Sequence, residues 1–294
     1  MIDLDRLQER IWSLPTFPGA VAELYEVSAD PKATASDVER IVKRDPALTT
    51  NVLRIANSAR FGLSRRVTGV GHAITLLGRR LVGNLAVASA CTAIVPRRLP
   101  AYDLSARDFF RHSVATGVLA PHLARQVGID APDFTFLAGL LHDLGKLAIT
   151  AYLAEEPALV QALAGQRLET RAAERTALGT DHAEVAALLA RQWHLPEVVA
   201  VVAEKHHDPG SVERPPLNTV VALVHVANVL AHEIGNAGAG DETTLCDPGR
   251  VAAKILPQLD PAALATLHLR VDHLPPICRE VAGQVDAMAE IITG

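Results

Sequence analysis

Apolar residues recur every three to four positions along almost the whole chain, the period that lines one face of an α-helix. In ATASDVERIVKRDPAL, Val38, Ile41, Val42 and Leu48 keep this spacing. Ser36, with Glu39 three residues on, predicts a capping box at the start of that helix. The Asp45-Pro46 step ends it or begins the next, because proline lacks an amide hydrogen and fits only a first turn. LTTNVLRIANSARFG continues with Val52, Leu53, Ile55 and Ala56 facing inward and Gly62 as the stop. VTGVGHAITLLGRRLVGNLAVASACTAI repeats the pattern with Gly78 inside it, and Pro96 and Pro100 bracket PRRLP, the clearest linker.

Beyond the linker, LSARDFFRHSVATGVLAPHLARQVG reads as a helix capped by Ser105. The segments starting at Ala131, Glu156, Asp181 and Leu217 follow in the same register. The Gly-rich GNAGAGDETT, residues 235–244, predicts a mobile loop before two shorter closing helices. No alternating run of strand length resists a helical reading, so the expected fold is all-α. The linker separates an N-terminal helical subdomain, residues 1–100, from a helical bundle, residues 101–294.

Composition agrees. The 294 residues are 49% hydrophobic but only 4% aromatic, which suits Ala- and Leu-rich helices better than sheets. Cys91, Cys246 and Cys278 lie far apart and form no CxxC pair, so a reduced, cytoplasmic setting is expected. The opening MIDLDRLQERIW is charged and amphipathic, unlike a secretory signal. The most apolar windows, residues 81–96 and 217–235, are too short or carry Asn and His, so no membrane span is expected. A net charge of −5 argues against nucleic acid as a partner. Residues 43–98 nevertheless carry ten Lys or Arg against one acid, which is either a solvated helix face or a dock for an anionic partner.

Candidate chemistry centres on FLAGLLHDLGKLAI, residues 136–149, where His142, Asp143 and Lys146 interrupt an otherwise apolar stretch. Burying these three costs several kcal/mol unless each finds a partner, whether a metal ion or a hydrogen-bond network. Asp108 and His112 stand at i and i+4 and share one helical face. His182 opens its helix, and His206-His207 close that helix's continuation. Imidazole and carboxylate donors without nearby cysteine suit Fe, Mn, Zn or Ni rather than a thiolate zinc site. Trp193 and His194 read as packing and helix termination, His225 and His232 as hydrogen-bonded neighbours, and Asn57-Ser58 as a cap or cross-link. No Gly-rich phosphate loop, GxSxG or zinc-ribbon spacing is present.

The order His112, His142-Asp143, Gly145-Lys146 resembles the HD superfamily of metal-dependent phosphohydrolases. His182 and His206-His207 match the ligand set of its HD-GYP branch, in which Asp108 would stand at an additional carboxylate position. The chain as a whole is most similar to the HDOD family, an all-helical relative found in bacterial signalling proteins. LPTFPGAV (14–21), IVKRDPALTTNVLRIANSARFG (41–62), VTGVGHAITLLG (67–78) and DHAEVAALLARQWHLPEVVAVVAEKHH (181–207) carry that resemblance. Two departures stand out. Asn228, in LVHVANVL, occupies the place of a closing aspartate, and an amide binds metal more weakly and brings no charge. The DPGSVERPP after His207 lacks the Gly-Tyr-Pro signature, so cyclic di-GMP hydrolysis is not expected. Conversely, many HDOD members have lost the His-Asp pair that this chain keeps.

The resemblance implies an HD-like bundle with an N-terminal helical subdomain. It also implies a bacterial signal-transduction protein acting through protein partners, with a divalent metal site of one or two ions. His112, His142, Asp143, His182, His206 and His207 would be ligands, with Asp108 and Asn228 in secondary places. One alternative is a metal-dependent phosphohydrolase on a nucleotide or other phosphate ester, with Asp143 and Lys146 as its catalytic residues: Asp143 bridging two ions and Lys146 steadying the phosphate. Another is a sensor that binds a phosphate ligand without turnover. Lys146 has a second reading, as an ion pair with Asp143 or Asp108.

Overall fold

The computed structural model describes residues 19–30, 32–58, 63, 65–95, 98–130, 134–156, 171–236 and 251–270, with single positions at 9, 274, 277, 281, 285, 286 and 288. The expectations for residues 14–18, the Gly62 stop, the helix over 157–170, the Gly-rich stretch from 237 and most of the closing segment lie outside the described residues.

Short polar side chains and two special residues set the boundaries of the first five helices. These are α1 (Gly19–Ala29), α2 (Ala35–Arg44), α3 (Pro46–Ala56), α4 (Val70–Leu77) and α5 (Arg79–Cys91). The cap of α2 lies two residues before the expected Ser36. The Asp37 carboxylate accepts from both the amide and the hydroxyl of Thr34, at 2.8 and 2.7 Å, which draws Ser36 into the first turn. Pro46 begins α3, and Asp45 caps it by accepting from the amides of Ala47 and Leu48. Gly78 adopts φ +85°, a conformation open to glycine, and splits the expected single helix into α4 and α5. Helices α1, α3 and α4 pack on α5 and bury Val38, Ile41, Val42, Val52, Ile55 and Ala56.

Asn57 ties this group together. Its amide donates to the carbonyls of Leu53 and Val67, and its Oδ1 accepts from the Val67 amide at 2.7 Å. Val67 is buried, so Asn57→Ala orphans two backbone groups and is expected to cost about 1–3 kcal/mol in urea denaturation.

From Arg98, within the expected linker, the chain enters a small hairpin, a local exception to the helical expectation. Arg98–Leu99 (β1) pairs antiparallel with Leu104–Ser105 (β2) around a tight turn at Pro100–Tyr102 that buries Tyr102. Otherwise the fold is all-α among the described residues. The chain continues as α6 (Ala106–Gln126), α7 (Thr135–Leu141), α8 (Gly145–Ala154), α9 (Arg171–Leu178), α10 (His182–Gln192), α11 (Glu197–Lys205), α12 (Leu217–Asn236) and α13 (Pro261–Leu267). Ser105 caps α6 by accepting from the Asp108 amide. Residues 181–207 form two helices, parted at Trp193-His194 where the sequence reads a termination. His194 at φ +53° reverses the chain after Trp193, and the Leu195 amide returns to the Ala190 carbonyl.

Helix α6 packs along both α7 and α12, α11 rests on α7 and α12, and α8 lies against α10. Two glycines allow the α6–α7 crossing to be close. A Cβ on Gly139 would stand 2.9 Å from the Gly117 Cα, so the two backbones touch with no side chain between them. The stretch Thr135–Ala154 is long and apolar enough by length and composition to cross a membrane, yet 89% of its most apolar window is buried in the fold.

Candidate metal centre

The HDLGK stretch is a turn between helices rather than the inside of one. Between α7 and α8 the amide bonds tighten to a three-residue spacing, with Leu144 N to Leu141 O at 3.1 Å and Lys146 N to Asp143 O at 3.0 Å. The tightening turns the fully buried His142 and Asp143 into one space with residues from α6, α10 and the end of α11. Gly145 is required there, since a Cβ would lie 1.9 Å from the His182 carbonyl oxygen.

Three imidazoles have their outer nitrogen engaged. His142 Nδ1 donates to the Gly139 carbonyl at 2.7 Å and His206 Nδ1 to the Ala203 carbonyl at 2.8 Å. His182 Nδ1 lies 2.6 Å from Glu174 Oε2. A carbonyl accepts only, so the neutral rings carry their proton on Nδ1 and present the Nε2 lone pair inward. His112 Nε2 is 3.3 Å from His142 Nε2, and His207 Nε2 is 3.0 Å from His182 Nε2. Two lone pairs at such a distance repel unless a proton or cation lies between them.

Asp143 stands between the two pairs. Its Oδ2 is 3.5 Å from His142 Nε2 and 3.7 Å from His112 Nε2, and its Oδ1 is 3.3 Å from His182 Nε2 and 3.9 Å from His206 Nε2. Among the described residues two donor groups result, His112/His142/Asp143 and His182/His206/His207, each with its donor atoms within 4.8 Å of one another. At the cluster, the buried His206 Nε2 and Asn228 Oδ1 make no hydrogen bond. Asn228 lies one turn from His225, which bonds the His206 carbonyl, and one turn from His232, whose ring centroid is 4.3 Å from that of His112. The Asn228 amide therefore shares the α12 stripe that faces the cluster. An inward set of imidazole lone pairs, a central carboxylate and orphaned polar atoms fits a divalent ion of borderline softness.

Electrostatics point the same way. Burial holds His112 and His206 well below the usual imidazole range and also lowers His142. His207 is held at about 3, again chiefly by burial; its outer edge is exposed while its ring packs against His182 and His206. Burial alone would raise Asp143, but the Lys146 ammonium, 2.5 Å from its Oδ2, together with the imidazoles of His142, His182 and His112, holds the carboxyl well below its ordinary value.

These depressed values fix a pH dependence. His112, His142, His206 and His207 stay neutral in the fold but take a proton near pH 6.5 when unfolded, so the unfolded state binds more protons and stability falls with pH below that point. Each contributes up to about 1.4 kcal/mol per pH unit. Urea titrations of metal-free protein between pH 7 and 5.5 are expected to show uptake of more than one proton on unfolding, and a flat profile would contradict it.

Asp108 lies outside both donor groups. It is exposed, and its Oδ2 accepts from the Ser105 hydroxyl at 2.6 Å. It does line, with Arg111, His112, Asp143, Lys146 and His232, a cavity of about 260 Å³ that opens beside the cluster. His225 is a supporting neighbour, bridging the His206 carbonyl and the Asp260 amide. Asp181 caps α10 and takes Arg171 and Arg175 at 2.8 Å each; burial opposes ionisation, but these bonds hold its carboxyl at about 2.

Sequence reasoning missed Glu174 and Tyr102. Both are buried, and the Tyr102 hydroxyl donates to Glu174 Oε1 at 2.7 Å. The available signal was slight: Glu174 stands four residues before Leu178 and shares its inward face.

A family model described as HDOD domain matches residues 14–209. A curated, uncharacterized protein of Treponema pallidum (strain Nichols) is 29% identical over 225 residues, covering 75% of this chain. The chain spans less than half, 43%, of that relative's length. Among solved structures, an HDOD domain protein with unknown function from Geobacter sulfurreducens superposes with TM-score 0.72 at 23% identity, covering 98% of this chain and 96% of the other. A candidate phosphohydrolase from Shewanella amazonensis SB2B gives TM-score 0.69 at 24% identity, with 98% of each chain covered. At these identities the likeness concerns the fold.

Proposed function

The chain belongs to the HDOD domain family, and from that premise we propose that it is a cytoplasmic signal-transduction protein that keeps a divalent metal site and acts through protein partners. One observation carries the metal reading: Asp143 presents one oxygen to the His112/His142 pair and the other to His182 and His206. His112, His142 and Asp143 would hold one ion, and His182, His206 and His207 a second, with Asn228 Oδ1 as a neutral auxiliary donor. The signalling reading is supported by the family and by a fold shared with a candidate signal-transduction protein from Marinobacter aquaeolei VT8, at TM-score 0.69.

A second reading, a metal-dependent phosphohydrolase, is favoured by the cavity beside the cluster. Bound divalent ions would supply charge that polarises a phosphoryl oxygen and lowers the pKa of a bound water. On the protein side, Lys146 and Arg111 line that cavity and could hold an anion's oxygens. Lys146 is already paired with Asp143, so holding an anion would require it to share or leave that contact.

Metal analysis of protein purified without chelator or a nickel column tests the first reading. One or two equivalents of Fe, Mn, Zn or Ni per chain are expected. Less than about 0.1 equivalent, unchanged after reconstitution, would remove the metal site. With metal loaded, a phosphatase and phosphodiesterase screen in Mn or Fe separates the readings. Turnover abolished by Asp143→Ala would favour the enzyme, and tight phosphate binding without turnover a sensor.

A further inference from the structure

The two donor groups are not electrostatically alike. His112/His142 shares its group with Asp143, whereas His182, His206 and His207 are three imidazoles with only the far oxygen of Asp143 near them. Behind this second group lies Glu174, at 0% exposure. Its Oε2 accepts from both the backbone amide of His182, at 3.0 Å, and the His182 ring Nδ1, at 2.6 Å. Its Oε1 accepts from the Tyr102 hydroxyl. Among the described residues, its ion-pair partner is His182 alone. A carboxylate fully removed from water, without Lys or Arg to neutralise it, is costly unless positive charge is placed nearby.

We propose that Glu174 is a positioning residue for the His182/His206/His207 subsite. It fixes His182 as the Nδ1–H tautomer with Nε2 toward the cluster and supplies, one hydrogen bond behind the ligand, the negative charge that this subsite lacks. Tyr102, on the turn between β1 and β2, holds the other carboxylate oxygen and so sets the plane of the group. The inference rests on the metal reading above. Chemically it follows from the way an imidazole that donates one N–H to a carboxylate becomes a more basic ligand through its other nitrogen.

Glu174→Gln separates this from mere structural support. The amide oxygen can still accept both bonds from His182, and its NH2 can donate to the Tyr102 oxygen, so shape and bonding survive while the charge is lost. Full-length protein stripped of metal is titrated with Co²⁺ alone, followed by calorimetry and by the visible d–d absorption of the bound ion. Glu174→Gln is expected to melt close to wild type when metal-free, yet to weaken Co²⁺ binding about 10–100-fold and alter the absorption band. Glu174→Asp, which restores the charge at shorter reach, should recover part of that loss. Co²⁺ affinity within about threefold of wild type in Glu174→Gln overturns the proposal. Should that variant not fold, Tyr102→Phe is decisive: weaker Co²⁺ binding supports the role, and unchanged binding sinks it. Wild type that takes up no Co²⁺ would instead refute the metal site itself.

Discussion

Gly145→Ala is expected to lower stability more than alanine at any other glycine among the described residues. The added methyl would meet the His182 carbonyl oxygen at 1.9 Å and the Ala186 amide nitrogen at 2.8 Å. Both obstacles are backbone, so no side chain can swing aside, and α8 must move away from α10. Such overpacking against main chain costs roughly 3 kcal/mol or more. For a domain of this size, that corresponds to a fall in melting temperature of about 6–12 °C. Gly19→Ala is the matched control, because a Cβ there meets nothing within 4 Å. Circular-dichroism melts showing equal temperatures for the two variants would refute the close crossing. The displacement also moves His182 away from Asp143, so Gly145→Ala should weaken metal binding without touching a ligand.

Asp143→Ala should have the largest effect on the metal centre. The carboxylate faces both donor sets, and its loss leaves five imidazoles with only Glu174, behind His182, as a neighbouring anion. Bound metal is expected to fall below about a tenth of the wild-type content. The metal-free protein is affected too, because Lys146 loses its counter-charge. That side chain is 15% exposed and can turn its ammonium toward the cavity, which limits the cost. Asp143→Ala with Lys146→Met should therefore be as stable as Asp143→Ala or more so, since the uncompensated charge is gone. A double variant much less stable than Asp143→Ala would show that Lys146 contributes through packing rather than charge. Metal content unchanged in Asp143→Ala would place the ions elsewhere.

The sequence made the helices legible, and with them the register of the candidate site. Val38, Ile41, Val42, Val52 and Ile55 are buried as their spacing requires, because helical periodicity is a local property. Boundaries were less secure. Thr34 caps α2 in place of Ser36, since which of several short polar side chains bonds the free amides is settled by a competition among neighbours. Gly78 reads as tolerable inside a helix, but the packing of α4 and α5 on α2 and α3 uses its positive φ to turn the chain.

By itself, then, the sequence determined an all-α chain and nominated His112, His142, Asp143, His182, His206 and His207 as one set. Tertiary structure alone decided how they are arranged. It divided them into two groups and turned the two Asp143 oxygens to opposite sides. It left Asp108 outside both groups and put Glu174 and Tyr102 behind His182. The reason is distance along the chain. Seventy-two residues separate Tyr102 from Glu174, and thirty separate His112 from His142. Contacts that long are set by how closely helix backbones pass, which here depends on Gly117 against Gly139 and on Gly145 against the His182 carbonyl.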